Sequence, residues 1–493
     1  MKRILSFVLL ISLLAVTFAA CGSDEKTAQV TASADTQPAE TTIGETEPPR
    51  IDPGLPERDF DGYEFRVLTK GTTNVHWKSY DISTVEQNGE PINDAVYSRN
   101  LKIGEQYNFT FLDVPCQDYS NIPGEASKLV LAGDTSIDMF CFNVASMISD
   151  HYIYNLRDMP YMDLSQPYYD QNIQRDLELF GALYAVTGDL LIMDNNATIC
   201  VQFNKQLAED YGLADTYGGD MYTMVDEGRW TYDALYDIAK TVAKDVDGDG
   251  KMAYVGDVWG FGTETANYWL LYMGAGERIC NKDADGYPII TMMSDRIVSV
   301  VEKITQIQTD TAVSLNASSI SSSFSDVWSE CMDKNFAENR VMFNMAGLNR
   351  ATLFRTMETD FGIIPVPKFN EEQESYYSPV SLGCANYIAL PANLPDPERT
   401  GIILEALSCE SYYTLTPAYY ETTLMGKAIR DEESRSMLEL IFDTTLYDLG
   451  SYFGWGSLTS VLQKGENYAS SLASSEKTAL AAIEKTVNAI RGE

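Results

Sequence analysis

The sequence predicts an exported protein of the α/β class with room for two domain-sized bodies. Three observations carry that prediction. The chain has 493 residues, 45% of them hydrophobic, enough for two cores. Strand-like and helix-like patterns alternate from residue 63 onward, the arrangement that builds parallel sheets covered by helices. The first 21 residues run from Lys2 and Arg3 through an apolar block, Ile4 to Phe18, to the small-residue boundary Ala19-Ala20-Cys21. That is an export signal, too short and wrongly flanked for a membrane span.

The run FAAC resembles the lipobox of bacterial lipoproteins. The resemblance implies that Cys21 is acylated and becomes the mature N-terminus, held at the outer face of the bacterial cell membrane. Several chains on one residue anchor stably where a single chain does not. Plain secretion with an unmodified Cys21 is the alternative. From Gly22 to residue 57 the chain is rich in Thr, Ala, Glu, Asp and Pro, and is read as a disordered acidic tether.

Charge narrows the partners. The chain has 35 basic and 72 acidic residues, and losing residues 1–21 removes only Lys2 and Arg3, leaving −39. Such a surface repels phosphate backbones, so nucleic acid is excluded as a partner, and neutral or cationic ligands are favoured. Seven cysteines besides Cys21 are scattered without a C-x-x-C, so neither a disulfide framework nor a zinc site is expected. Only His76 and His151 occur, which leaves little material for histidine chemistry.

The body opens with YEFRVLT, alternating Tyr63, Phe65 and Val67 with Glu64, Arg66 and Leu68 as a strand does. Asn93 and Asp94 open a helix, FTFLDV follows as a second strand, EASKLVLAG as a helix and IDMFCF as a third strand. Beyond Asp189, Thr231 caps a helix whose apolar face is Leu235, Ile238, Ala239 and Val242. Ile297, Val300, Val301 and Ile304 mark another helix, and residues 314–325 read as a Ser-rich loop. Strand-like runs return at RVMFNM, DFGIIPVP and ANYIALP, and the last helix places Leu480, Ile483, Val487 and Ile490 on one face.

Four segments in this order carry a resemblance: AGDTSIDMFCF, ICVQFNKQLAEDYGL, GRWTYDALYDIAKTV and NRVMFNMAGLNRATLFRTMETDFGIIPVPK. Together they resemble the extracellular solute-binding proteins of ABC importers, in the group of maltose-binding-protein-like carbohydrate binders. The resemblance implies a two-lobed periplasmic-binding-protein-like fold of type II, closing by hinge motion on a ligand in the interlobe cleft. Lobe 1 would take residues 58–187 and about 365–410, and lobe 2 residues 188–364 and about 411–493. It implies a monomeric, non-enzymatic carrier of an oligosaccharide or similar solute, docking on ABC permease subunits. A secreted glycan-degrading enzyme, and a surface glycan sensor with no transport role, are the alternatives. The first needs two carboxylates across a sugar, and no such pair announces itself among the acids.

A sugar is held by flat aromatic faces and by short polar groups that donate and accept. Phe142 and Asn143, at the end of the third strand, stand for a cleft position or for core packing. Trp77 follows the first strand in the polar loop GTTNVHW; His76 beside it reads as a solvated loop residue. Glu264 and Tyr268 follow GFGTETAN, with Trp269 assigned to the core. Asn349 and Arg350 stand in MAGLNR where the family often has a Trp, so one stacking platform is missing. Trp455, in the Gly-flanked loop YFGWGS, is expected to touch ligand, and Trp230 to pack; Asp189 and Asn195 are weaker candidates by the first crossing. Finally, Asp245, Asp247, Asp249 and Gly250 match the opening of an EF-hand-type calcium loop. The bidentate Glu of the twelfth place is absent: Gly256 stands there, with Asp257 one later. No cofactor is required; a calcium ion here would pin a loop.

Overall fold

The computed structural model describes residues 50–71, 77–78, 80–424 and 432–493. The signal, Cys21, most of the tether and His76 lie outside them. Ile51–Glu493 forms one unit. The tether, expected to run to residue 57, ends sooner. The Ile51 amide donates to the Tyr413 hydroxyl at 2.8 Å, and Ile51 and Leu55 pack against the core.

Lobe 1 is built on a parallel sheet of β1 (Tyr63–Thr69), β2 (Phe109–Pro115) and β3 (Met139–Cys141), in the order β2-β1-β3. Strand β1 alternates at its start, but Val67, Leu68 and Thr69 are all buried, because the central strand of a covered parallel sheet is apolar on both faces. ANYIALP returns to this sheet: Ala389 bridges Phe140, and Ile388 bridges Val186. The helix Pro397–Tyr413 then packs on the helix Pro91–Tyr107, which starts at its proline rather than at Asn93.

Lobe 2 holds β4 (Ile199–Asn204), β5 (Trp259–Thr263), a hairpin of β6 (Cys280–Lys282) and β7 (Pro288–Ile290), β8 (Ser314–Asn316), β9 (Val341–Gly347) and β10 (Phe361–Ile364). Its main sheet runs β10-β4-β9-β5-β8. The sequence suggested parallel pairing; here β5 is parallel to β8 and β9, while β4 is antiparallel to both β9 and β10. The Ser-rich stretch expected as a loop begins with strand β8 and the short helix Ala317–Ile320, because Leu315 finds a buried edge beside β5. The helix Tyr232–Val242 starts as predicted, with the Thr231 hydroxyl accepting from the Ala234 amide at 3.3 Å.

Three chain segments run side by side between the lobes. Thr198 bridges Val380, and β11 (Ser378–Pro379) pairs with β12 (Thr445–Leu446). The Ser381 amide donates to the Ala197 carbonyl at 2.8 Å, and the Val380 amide to the Leu446 carbonyl at 3.1 Å. At the approach to the first crossing, Gly188 has φ +156, and a Cβ there would stand 2.1 Å from the Tyr168 carbonyl oxygen, so only glycine fits. The C-terminal helices serve both lobes, whereas the sequence reading gave residues 411–493 to the second. Leu415–Leu424 packs on Pro91–Tyr107, and Glu432–Asp443 packs on β10. Helix Tyr468–Arg491 reaches the first lobe through Thr486, whose hydroxyl lies 3.2 Å from that of Ser149.

Candidate functional site

The lobes meet at the carboxyl ends of their central strands. In lobe 2, β5 and β9 lie side by side and parallel, so Glu264, just past β5, and Gly347, ending β9, emerge together. Trp77, past β1 of the other lobe, reaches this edge: its Cη2 lies 3.0 Å from where a Gly347 Cβ would stand. The Asn349 Oδ1 lies 2.9 Å from the same point and the Asn196 carbonyl oxygen 2.6 Å. A side chain at 347 would push these groups apart, so the glycine permits the approach of Trp77 and Asn349.

Glu264 is half-buried, and its carboxylate has no hydrogen bond or ion pair among the described residues. Burial pushes its carboxyl up, partly offset by Arg350. Arg350 itself is committed elsewhere. Its Nη1 donates to Asp333 Oδ2 at 2.6 Å, and its guanidinium lies over the Trp328 ring at 4.7 Å. Burial holds the Asp333 carboxyl up at about 6, against the pull of Arg350. Arg350 therefore faces into lobe 2 instead of offering a free hydrogen-bonding edge to ligand.

Across the gap, Lys70 follows β1 and is buried. Its Nζ donates to the carbonyls of Gly383, Cys384 and Ala385, each at 3.0 Å. All three ammonium protons are used. Burial pushes this ammonium down, and it holds the returning chain against the first lobe. Cys384, in that turn, lies within electrostatic reach of Glu264.

Several expected contacts are placed elsewhere. Phe142 is 1% exposed, with its ring 5.6 Å from that of Phe140, and presents no face to a ligand. Asn143 is used locally: its Oδ1 accepts from the Ala145 amide at 2.9 Å, and its Nδ2 donates to the Tyr452 carbonyl at 3.4 Å. Trp455 is 3% exposed, stacks on Phe453 at 4.6 Å and donates from Nε1 to Thr486 Oγ1 at 3.1 Å. It belongs to the packing of the C-terminal helix. Tyr268 is buried in the core. Trp230 packs as read, with Nε1 donating to the Pro365 carbonyl at 2.9 Å. Asp189 is bound into the crossing by the Thr416 hydroxyl at 2.6 Å. Asn195 adjoins it in the helix Met193–Asn196. Sequence reasoning missed Lys70, Asp333 and Trp328, whose partners are distant in the chain.

The acidic loop is altered in one member. Asp245, Asp247 and Asp257 each bring a carboxylate oxygen within 4.8 Å of the others; Asp249 is not in the group. Asp249 instead accepts the Lys251 amide at 2.8 Å. The donor set is all carboxylate oxygen, which suits a hard cation. A cavity of about 390 Å³, lined by Asp333, Leu353, Phe354 and Met357 among others, opens on lobe 2 and does not border the Trp77–Gly347 approach.

No protein-family model matches the chain, and no curated protein matches it. Solved structures do. UspC of Mycobacterium tuberculosis aligns with TM-score 0.54 at 15% identity, over 85% of this chain and 100% of its own. UgpB of the same organism, in complex with glycerophosphocholine, aligns with TM-score 0.54 at 14% identity, over 86% and 99%. Maltose-bound MalE3 of T. maritima aligns with TM-score 0.51 at 14% identity, over 87% and 99%. The fold is therefore that of the two-lobed periplasmic binding proteins.

Proposed function

We propose that this chain is the substrate-binding lipoprotein of an ABC importer, capturing an extracellular oligosaccharide or sugar between its lobes and delivering it to a membrane permease. The observation that carries the reading is the meeting of Trp77 and Asn349 at Gly347, where β9 ends beside the strand that leads to Glu264, in two lobes joined by three crossing segments. Ligands bind at such ends in open α/β sheets, and at interfaces between domains. The similar structures bind a sugar in one case and a polar headgroup compound in another, which supports small polar solutes as the class. The signal and Cys21 support export and anchoring by lipid. Catalysis on a glycan needs two carboxylates placed across the sugar, and no such pair announces itself in the sequence, which supports capture without turnover. An ion held by Asp245, Asp247 and Asp257 would be structural, remote from the chemistry of capture. A thermal-shift screen against oligosaccharides tests the reading. A ligand at 100 times its dissociation constant adds about 2.7 kcal/mol. Stabilisation without products supports it; release of cleaved products would replace it with the enzyme.

A further inference from the structure

One carboxylate at the lobe junction lacks a donor. The Glu264 carboxylate has no hydrogen bond or ion pair among the described residues, although the fold has removed much of its water. Arg350 is the cation that acts on it, and Asp333 already holds Arg350 at 2.6 Å. Lys70, the basic residue at the end of β1, spends its three protons on the carbonyls of residues 383–385. A partly desolvated carboxylate without a donor is costly, and evolution keeps one where something supplies the missing partner. Hydroxyl groups would satisfy its lone pairs and leave its charge. An ammonium group satisfies both.

A second feature points the same way. Trp77 approaches the end of β9, the strand beside Glu264, from the opposite lobe. An aromatic ring brought to the strand that neighbours a carboxylate suits a cation, because the ring quadrupole attracts positive charge where water is excluded. The chain's formal charge of −37 adds a field that draws cations and repels anionic sugars.

We infer that the interlobe site takes a polyhydroxylated solute carrying a cationic nitrogen, an amino sugar or its oligomer, with Glu264 supplying the counter-charge and Trp77 the aromatic face. This rests on the capture reading above and names the chemistry of its guest. Uronic acids and sugar phosphates are excluded by the same charge.

Calorimetric titration of the purified full chain tests it, using matched pairs that differ only in charge: oligomers of glucosamine against glucose, galactosamine against galactose and mannosamine against mannose. At pH 7 at least one amino member binds about tenfold or more tightly than its neutral partner. In Glu264→Gln that preference falls to about unity, and in the native chain it fades as pH falls and Glu264 takes up a proton. Because the Glu264 carboxylate has no partner among the described residues, the glutamine variant keeps its fold, checked by its melting temperature. Equal or tighter binding of the neutral members overturns the charge assignment and leaves solute capture standing. An amine preference that survives Glu264→Gln overturns the role of Glu264. Binding of no member of either set counts against both readings.

Discussion

Lys70 and Glu264 each follow a strand paired on both sides, Lys70 after β1 in the first lobe and Glu264 after β5 in the second. Lys70 has every proton bonded to protein; the Glu264 carboxylate has no protein partner among the described residues. The difference separates a charge that builds the scaffold from one kept for something outside it. The tryptophans differ in place: Trp455 and Trp230 have their indole N–H groups bonded inside the core, and Trp77 stands half-buried at the lobe junction.

The contrast can be broken at four points. The largest effect is expected at Trp455: Trp455→Ala should cost about 3–5 kcal/mol in chemical denaturation while leaving ligand affinity intact. Trp77→Ala should do the reverse, weakening binding about tenfold or more with little loss of stability. Lost affinity without lost stability in Trp455→Ala would return that residue to the cleft. Next, Lys70→Met should cost about 3 kcal/mol, because three carbonyls of the returning chain lose their donor. Glu264→Gln should stay within about 0.5 kcal/mol of the native chain. A third effect is electrostatic. Burial pushes Asp189 from 3.8 up to about 7. The folded state then holds this proton more tightly than the unfolded one, so the contribution is fully present below pH 3.8 and is lost as pH rises through about 7. Urea midpoints of Asp189→Asn should therefore fall less than those of the native chain across that window. The smallest effect is at the acidic loop: millimolar calcium should raise the melting temperature by a few degrees at most, and Asp257→Asn should abolish the rise where Asp249→Asn does not.

Much of the fold was legible. Period-two and period-3.6 patterns located β1, β2, β9 and the helices at 232–242 and 295–309, because those elements bury one face or both in ways that sequence spacing records. The site was legible only in part. Glu264, Asn349 and Trp77 follow strand ends, and that position is visible in the chain. Trp455 was not readable, since a tryptophan in a glycine-flanked loop looks the same whether it faces a sugar or a helix; what decides is Thr486, 31 residues away. Lys70 looks like any surface lysine until the carbonyls 313 to 315 residues later are brought to it. Asp257 did leave a signal, one place beyond the expected twelfth ligand, and the extra residue is absorbed by Gly256 at φ +110. Arg350 was misdirected because its partner Asp333 lies on a separate helix, 17 residues earlier.

The central claim is that solute is captured by the closing of two lobes about the crossings near Thr198, Val380 and Leu446. Small-angle X-ray scattering of the purified chain, with and without a saturating amount of the tightest-binding amino or neutral oligosaccharide pair member, tests it directly. A fall in radius of gyration on binding is expected in the native chain, and in Glu264→Gln about tenfold more of the amino member is needed to produce it. A ligand that binds with full occupancy and leaves the scattering curve unchanged would contradict it.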